Sequence, residues 1–282
     1  MAMTTNPDKT QLRAMPARSG SRWQRFAPRR LLSLRIEGLF GVLVFLVAWE
    51  LFARSLDNTL FLVPPTSVAK DLWEWITTGE IFPHLQTSGT ELAMGFLLGL
   101  VSGLVFGVVM GLIAPVRRLL QPLVVGLYST PVLALAPLFV IWFGFGLKSK
   151  ILLIALTTVF PILVNVEAGI VQAERNYLDV ARSFGASHLR LISMVRFPSA
   201  IPFVFAGMRI SIARAVTGVF VAELFGATSG IGYTVQNASA TFDTARLLSG
   251  VVVLATAGIL LSGLVSALGK WLTPWKAGSE RA

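Results

Sequence analysis

Leu92-Ala93-Met94-Gly95-Phe96-Leu97-Leu98-Gly99-Leu100-Val101-Ser102-Gly103-Leu104-Val105-Phe106-Gly107-Val108-Val109-Met110-Gly111-Leu112-Ile113-Ala114-Pro115-Val116 contains no charged side chain, and glycine recurs at every fourth position from Gly95 to Gly111. A bilayer core about 30 Å thick needs about 20 apolar residues in a helix that rises 1.5 Å per residue. This stretch is long enough. Four residues advance a helix about 40° beyond one full turn, so the glycine stripe winds slowly around the surface and lets a neighbouring backbone approach closely. The stripe predicts tight helix packing but leaves open whether the neighbour belongs to this chain or to a second copy.

Working outward, Leu119 to Leu147 and Leu247 to Gly269 are also free of charge. Three further apolar stretches are interrupted. Ile36 to Phe52 carries Glu37 and Glu50, Ile151 to Val171 carries Glu167, and Pro198 to Leu224 carries Arg209, Arg214 and Glu223. Together they predict an all-α integral membrane protein with six spanning helices over residues 36–272. Composition agrees: 54% of the 282 residues are apolar and only 13% are Asp, Glu, Lys or Arg, too few charges for a water-facing shell. The mean hydropathy is +0.72.

The charges that remain are unbalanced, with 24 Lys and Arg against 14 Asp and Glu. Seventeen of the 24 fall in alternate segments: the tail 1–35, the turn at Arg117-Arg118, the segment 173–198 and the tail 273–282 with the adjacent Lys270. Lys and Arg concentrate in cytoplasmic loops, so both termini are expected in the cytoplasm. The tail 1–35 is expected to be mostly disordered and held against anionic lipid, without a nucleic-acid role. Residues 54–89 form the one sizeable external segment, with an amphipathic helix expected over Val68 to Ile76.

Polar groups at membrane depth mark the candidate pathway. Leu119 to Leu147 contains Pro122, Pro131 and Pro137, and each proline removes a backbone donor. Broken backbone survives in lipid only against protein or a water-filled cavity, which singles out Ser129, Thr130 and Pro131. A tilted but continuous helix is the alternative. Thr157, Thr158 and Asn165 join the candidates, as do Arg209, Arg214 and Glu223 on ionisability. For the two arginines, pairing with Glu167 or Glu223 competes with contact to an anionic solute.

Several classes are excluded. The absence of cysteine removes thiolate metal sites, and two histidines cannot build a multi-histidine centre. The stretch Gly263 to Gly269-Lys270-Trp271 is one residue too long for a phosphate-binding loop and has Trp where Ser or Thr is required. No catalytic set is assembled, and no acidic or histidine relay suggests a proton-driven pump.

The segment before the fifth span reads Asn176-Tyr177-Leu178-Asp179-Val180-Ala181-Arg182-Ser183-Phe184-Gly185-Ala186-Ser187-His188-Leu189-Arg190-Leu191-Ile192-Ser193-Met194-Val195-Arg196-Phe197-Pro198. It predicts two short helices, Tyr177 to Phe184 and Ser187 to Val195, hinged at Gly185. Their apolar faces are Leu178, Ala181 and Phe184 in the first, and Leu189, Ile192 and Val195 in the second.

This segment resembles the coupling loop of ABC-importer permeases, E-A-A-x3-G-x9-I-x-L-P, with Asp179, Val180, Ala181, Gly185, Val195 and Pro198 in frame. Leu133-Ala134-Leu135-Ala136-Pro137-Leu138, Trp142-Phe143-Gly144-Phe145-Gly146 and Ala222-Glu223-Leu224-Phe225-Gly226 look like the sulfonate/taurine/nitrate group. The resemblance implies a type I permease in the bacterial inner membrane, a homodimer that does no chemistry itself and binds no cofactor. ATP and Mg would sit on a separate ATPase dimer, seated against Asp179, Val180, Ala181, Phe184, Gly185, Ala186, Leu189, Val195 and Pro198. A periplasmic or lipid-anchored binding protein would deliver the solute, an organosulfonate such as alkanesulfonate or taurine, or a nitrate-like anion. A secondary transporter or a membrane anchor without an ATPase partner is the alternative.

Overall fold

The computed structural model describes residues 27–56, 62–173 and 175–274, and among these the chain is helical with no strand. The expected basic tail up to residue 26, and residues 275–282 of the C-terminal tail, lie outside the described residues. Two units separate at residue 49. The first is described only as the start of helix α1, Ala27–Ser55, which covers the expected first span and begins nine residues before it. The second, residues 50–282, holds everything else.

Within the second unit, Glu50 binds the start of α2 (Pro65–Thr77). Its carboxylate accepts from the Thr66 hydroxyl at 2.8 Å and the Thr66 backbone N–H at 3.1 Å, meeting a free donor at a helix start. Helix α3, Ile81–Leu112, starts eleven residues before the charge-free stretch. Pro83 falls in its first turn, where a missing N–H has no intrahelical partner to lose, so His84, Ser88 and Glu91 belong to the same helix as the glycine stripe.

The stripe lies on α6, Leu147–Val171, in the same chain. A Cβ built on Gly95 meets Ile154, and at Gly99, Gly103, Gly107 and Gly111 it meets Thr158, Ile162, Val166 and Ile170. The sequence offset is constant, so the two helices run parallel and both seams step by four residues. Glu91 and Lys150, also separated by 59 residues, continue that register one step further and form an ion pair at 2.6 Å. Helix α9, Phe197–Leu224, packs antiparallel on the other side of α6, where Gly207 faces Asn165 and Gly218 faces Thr157. The Ser211 hydroxyl donates to the Thr158 carbonyl at 2.8 Å. Helix α10, Ile231–Ala240, and helix α11, Thr244–Leu272, complete this side.

The proline-rich span is broken. Helix α4, Ala114–Ser129, and the segment Val132–Phe143, which ends in α5 (Ala136–Phe143), meet at 78°. Thr130 is extended (ψ 137°), as the residue before a proline is pushed to be, and Pro131 completes the bend. The continuous tilted helix is thereby corrected. Four helices are long and apolar enough to cross a membrane among the described residues, and the bent pair makes a fifth.

Candidate functional site

The hinge segment begins with α7, Arg175–Ser183. Gly185 adopts φ +74°, its N–H donates to the Arg182 carbonyl at 2.8 Å, and the Ala186 N–H reaches the Ala181 carbonyl at 3.0 Å. This pair of bonds satisfies the last carbonyls of α7 and turns the chain sharply, a closure that favours glycine. Nothing lies within 4 Å of a Cβ built on Gly185, so the turn is open to whatever approaches it. Ser187 then starts α8, His188–Leu191, its hydroxyl accepting from the Arg190 N–H at 3.5 Å.

The second helix does not end at Val195 as expected. It passes through a π-helical turn, Ile192–Arg196, directly into α9. Pro198 has no N–H to give to Met194, and the Phe197 N–H reaches back five residues to Ile192. Displacement of α8 therefore acts on α9 without an intervening loop.

The exposed apolar face also differs from expectation. Leu178 is buried and Ala181 partly so, whereas Tyr177, Val180, Phe184 and Leu189 point outward, the last two 87% and 78% exposed. Spacing identified the helix; which stripe its own chain covers depends on how α7 docks. Asp179 is exposed and pairs with Arg182 at 3.1 Å. Val195 and Pro198 border a hollow of about 420 Å³ with Tyr177 and Met194. Met194, 72% exposed, had no signal in the spacing.

The second region is a cavity of about 470 Å³ at the break between α4 and α5. Thr130, Pro131, Thr157 and Arg214 line it, together with Tyr128 and Thr217. Arg214 pairs with neither expected carboxylate: its guanidinium lies over the Tyr128 ring, 4.9 Å from the centroid. Glu167 instead faces Arg117 at 4.0 Å. Ser129 is exposed beside the cavity without lining it, and Arg209 is exposed elsewhere on α9.

Three other candidates are engaged within the helix bundle. Thr158 is fully buried against Gly99, and its hydroxyl donates to the carbonyls of Ile154 and Ala155. The Asn165 amide donates to the Pro161 carbonyl at 2.8 Å. Glu223 is fully buried and accepts from the Ser88 hydroxyl at 2.6 Å and from the Gly232 N–H. A Cβ on Gly230 or Gly232 would meet this carboxylate, so the two glycines admit it.

The node around Glu223 was not anticipated from the sequence. The Ser88 hydroxyl also accepts from the Ile231 N–H at 2.8 Å, and His84 Nδ1 accepts from the Gly230 N–H at 3.0 Å. With the Glu91–Lys150 pair, these bonds join α3, α6, α9 and α10 at the end of the bundle remote from Gly185. The missed signal was the offset of 59 residues that Glu91 and Lys150 share with the glycine seam.

Residues 95–277 match the family described as "Binding-protein-dependent transport system inner membrane component". A protein of Bacillus subtilis named for aliphatic sulfonate transport, the permease SsuC, is 35% identical over 87% of this chain and 89% of its own length. The formylaminopyrimidine transport permease ThiX of Halalkalibacterium halodurans is 31% identical over 86% of this chain and 96% of its own. For the taurine transport system permease TauC of Escherichia coli the figures are 33%, 86% and 91%. In fold, the chain resembles the inward-facing MetNI methionine ABC transporter, with a TM-score of 0.57 at 18% identity, over 67% of this chain and 94% of that one.

Proposed function

The chain belongs to the binding-protein-dependent inner-membrane transport components, the multi-pass permease subunits of ABC importers, and from that premise we propose that it forms a homodimer whose two Gly185 hinges seat in a pair of ATPase subunits. Such a subunit is a translocation component and not an enzyme; ATP and Mg stay on the partner. The observation that carries this reading is the outward apolar pair Phe184 and Leu189 flanking an unobstructed turn, because an exposed apolar patch away from the lipid marks a contact site for another protein. Both termini then lie in the cytoplasm with the hinge, and the node around Glu223 faces the binding protein.

The solute is an organosulfonate such as alkanesulfonate or taurine. Two of the three relatives named above are sulfonate or taurine permeases, and the third carries a pyrimidine, so the cationic group in the cavity lining weighs in favour of the anion. Closure of the ATPases on ATP pushes the hinges together, and the continuity of α8 with α9 transmits that movement to the helix bearing Arg214.

Gly185→Asp tests the coupling. The site has room for the side chain and Asp tolerates positive φ better than most residues, so membrane abundance stays normal. Uptake and binding-protein-stimulated ATP hydrolysis in proteoliposomes are expected to fall at least about tenfold, since a buried unpaired charge in the groove is costly. Wild-type rates in that variant overturn the assignment of the hinge.

A further inference from the structure

Arg214 is the one charged residue among those lining the cavity at the α4–α5 break, and it sits level with Thr157, midway along α6. A cation at that depth is expensive and ordinarily has a carboxylate partner. Here the two carboxylates expected to pair with it are engaged elsewhere, Glu167 with Arg117 and Glu223 with Ser88 and Gly232. Arg214 rests on the face of Tyr128 instead. A ring face steadies a guanidinium but accepts none of its in-plane N–H groups, and Arg214, exposed toward the cavity, has no hydrogen-bond or ion-pair partner among the described residues.

The threonine hydroxyls around it supply no competing donors. Thr130 donates to the Gly126 carbonyl, Thr157 to the Ile154 carbonyl and Thr217 to the Ala213 carbonyl, at 2.9, 2.7 and 3.0 Å. Each threonine proton is committed to its own helix, so among the described lining side chains the donors left for an anion are the Arg214 guanidinium, the one that carries charge, and the Tyr128 hydroxyl. The remainder of the wall is apolar, with Leu156 and Phe160 opposite the broken backbone. One cationic fork in an otherwise apolar wall suits a solute with an oxyanion head and an aliphatic body. It suits nitrate poorly, because a bare inorganic ion leaves most of about 470 Å³ unfilled and gains nothing from the apolar wall.

We infer that Arg214 is the oxyanion contact of the translocation pathway, held on Tyr128 until an organic anion displaces the ring, and that this cavity selects alkanesulfonates over inorganic nitrate. The inference rests on the importer reading for its meaning in transport. A ring partner also suits transit: it yields to an incoming sulfonate and takes the guanidinium back when the sulfonate leaves.

The test is saturation-transfer NMR on the full chain in lipid nanodiscs, with butanesulfonate as probe and empty nanodiscs as the partition control. Wild type is expected to saturate the alkyl protons of butanesulfonate and not those of neutral butanesulfonamide. Arg214→Gln should weaken binding at least about tenfold, and Arg214→Lys, which keeps the charge without the planar fork, should fall between. Nitrate should compete at least about tenfold less well than butanesulfonate. Arg214→Gln binding like wild type, no probe binding to wild type, or equal competition by nitrate each overturns the proposal. Coupling is read separately: if Gly185→Asp still uncouples transport when the titration fails, the importer reading stands and only the anion contact falls. If the chain never associates with an ATPase, that reading falls, while the titration still decides whether Arg214 binds the anion.

Discussion

The α3–α6 seam and the Gly185 hinge are both glycine-dependent, and they use the residue for opposite ends. Along the seam glycine removes a side chain so that two helices can touch: at Gly103 a built Cβ lies 2.9 Å from the Val159 carbonyl and 2.8 Å from Ile162 Cβ. At the hinge it supplies a left-handed turn in open space. The seam is closed on itself, with each small residue matched by a branched side chain four residues apart. The hinge is open, with Phe184 and Leu189 left mostly uncovered by the described residues. One region packs the subunit against itself, and the other is the surface that the proposed function assigns to another molecule.

The sharpest way to break the seam is at its charged end. Lys150→Met leaves Glu91 buried without its cation, and one Glu91 oxygen already has no hydrogen-bond partner. Removing one partner of a buried pair costs about 3–5 kcal/mol, so thermal unfolding in detergent should show a severely destabilised protein. Glu91→Leu combined with Lys150→Met should recover most of the loss, since an apolar pair of similar volume is often neutral. A double variant no better than the single one would show that the pair does more than fill space.

Next in size is Gly103→Leu. Overpacking costs typically about 1–3 kcal/mol, and the clash here includes the Val159 carbonyl, which cannot rotate away as a side chain would. A value at or above the upper end is expected, read as reduced membrane abundance and a lower unfolding midpoint. Gly263→Leu on α11, where a Cβ meets nothing within 4 Å, is the matched control and should leave both unchanged.

How much of this was legible follows from the same contrast. The seam announced itself because a stripe of five glycines in an uncharged stretch has few other uses, and its partner on α6 repeats every four residues as well. The hinge was legible because a permissive residue, Gly185, and a restrictive one, Pro198, stand at a fixed spacing. The outward face was not: burial of Leu178 rather than Val180 is set by docking against the chain's own body, which local periodicity does not encode. The node around Glu223 was hidden for a related reason. Glu91 and Lys150 stand at the edges of apolar stretches, where each alone looks like a loop charge, and only the register of the seam brings them together. For Arg214 the sequence leaves pairing with Glu167 or Glu223 open beside contact with an anion, because it does not show that both carboxylates are already engaged.

At the hinge the expected effects on stability are small and those on assembly large. Phe184→Ser removes an exposed ring, and surface changes of this kind usually alter stability by less than about 0.5 kcal/mol. The unfolding midpoint of the isolated subunit should therefore move by no more than about 2 °C. Co-purification with the ATPase should drop at least about tenfold, since buried aromatic anchors dominate most interfaces. A large loss of stability with intact assembly would reverse the comparison and make Phe184 a core residue.

The smallest effect is expected at Arg209. It lies on the same helix as Arg214 and is exposed, yet it does not line the cavity and has no hydrogen bond or ion pair among the described residues. Five residues separate the two arginines, about 500° of helical rotation and some 7.5 Å along the axis, so they point to different sectors of α9. Arg209→Ala should leave uptake within about twofold of wild type, against the order-of-magnitude loss expected from replacing Arg214, with any residual change reflecting lost stem packing rather than charge. Equal losses from both substitutions would mean that the pathway extends beyond the cavity at the α4–α5 break and follows the exposed face of α9 toward the hinge.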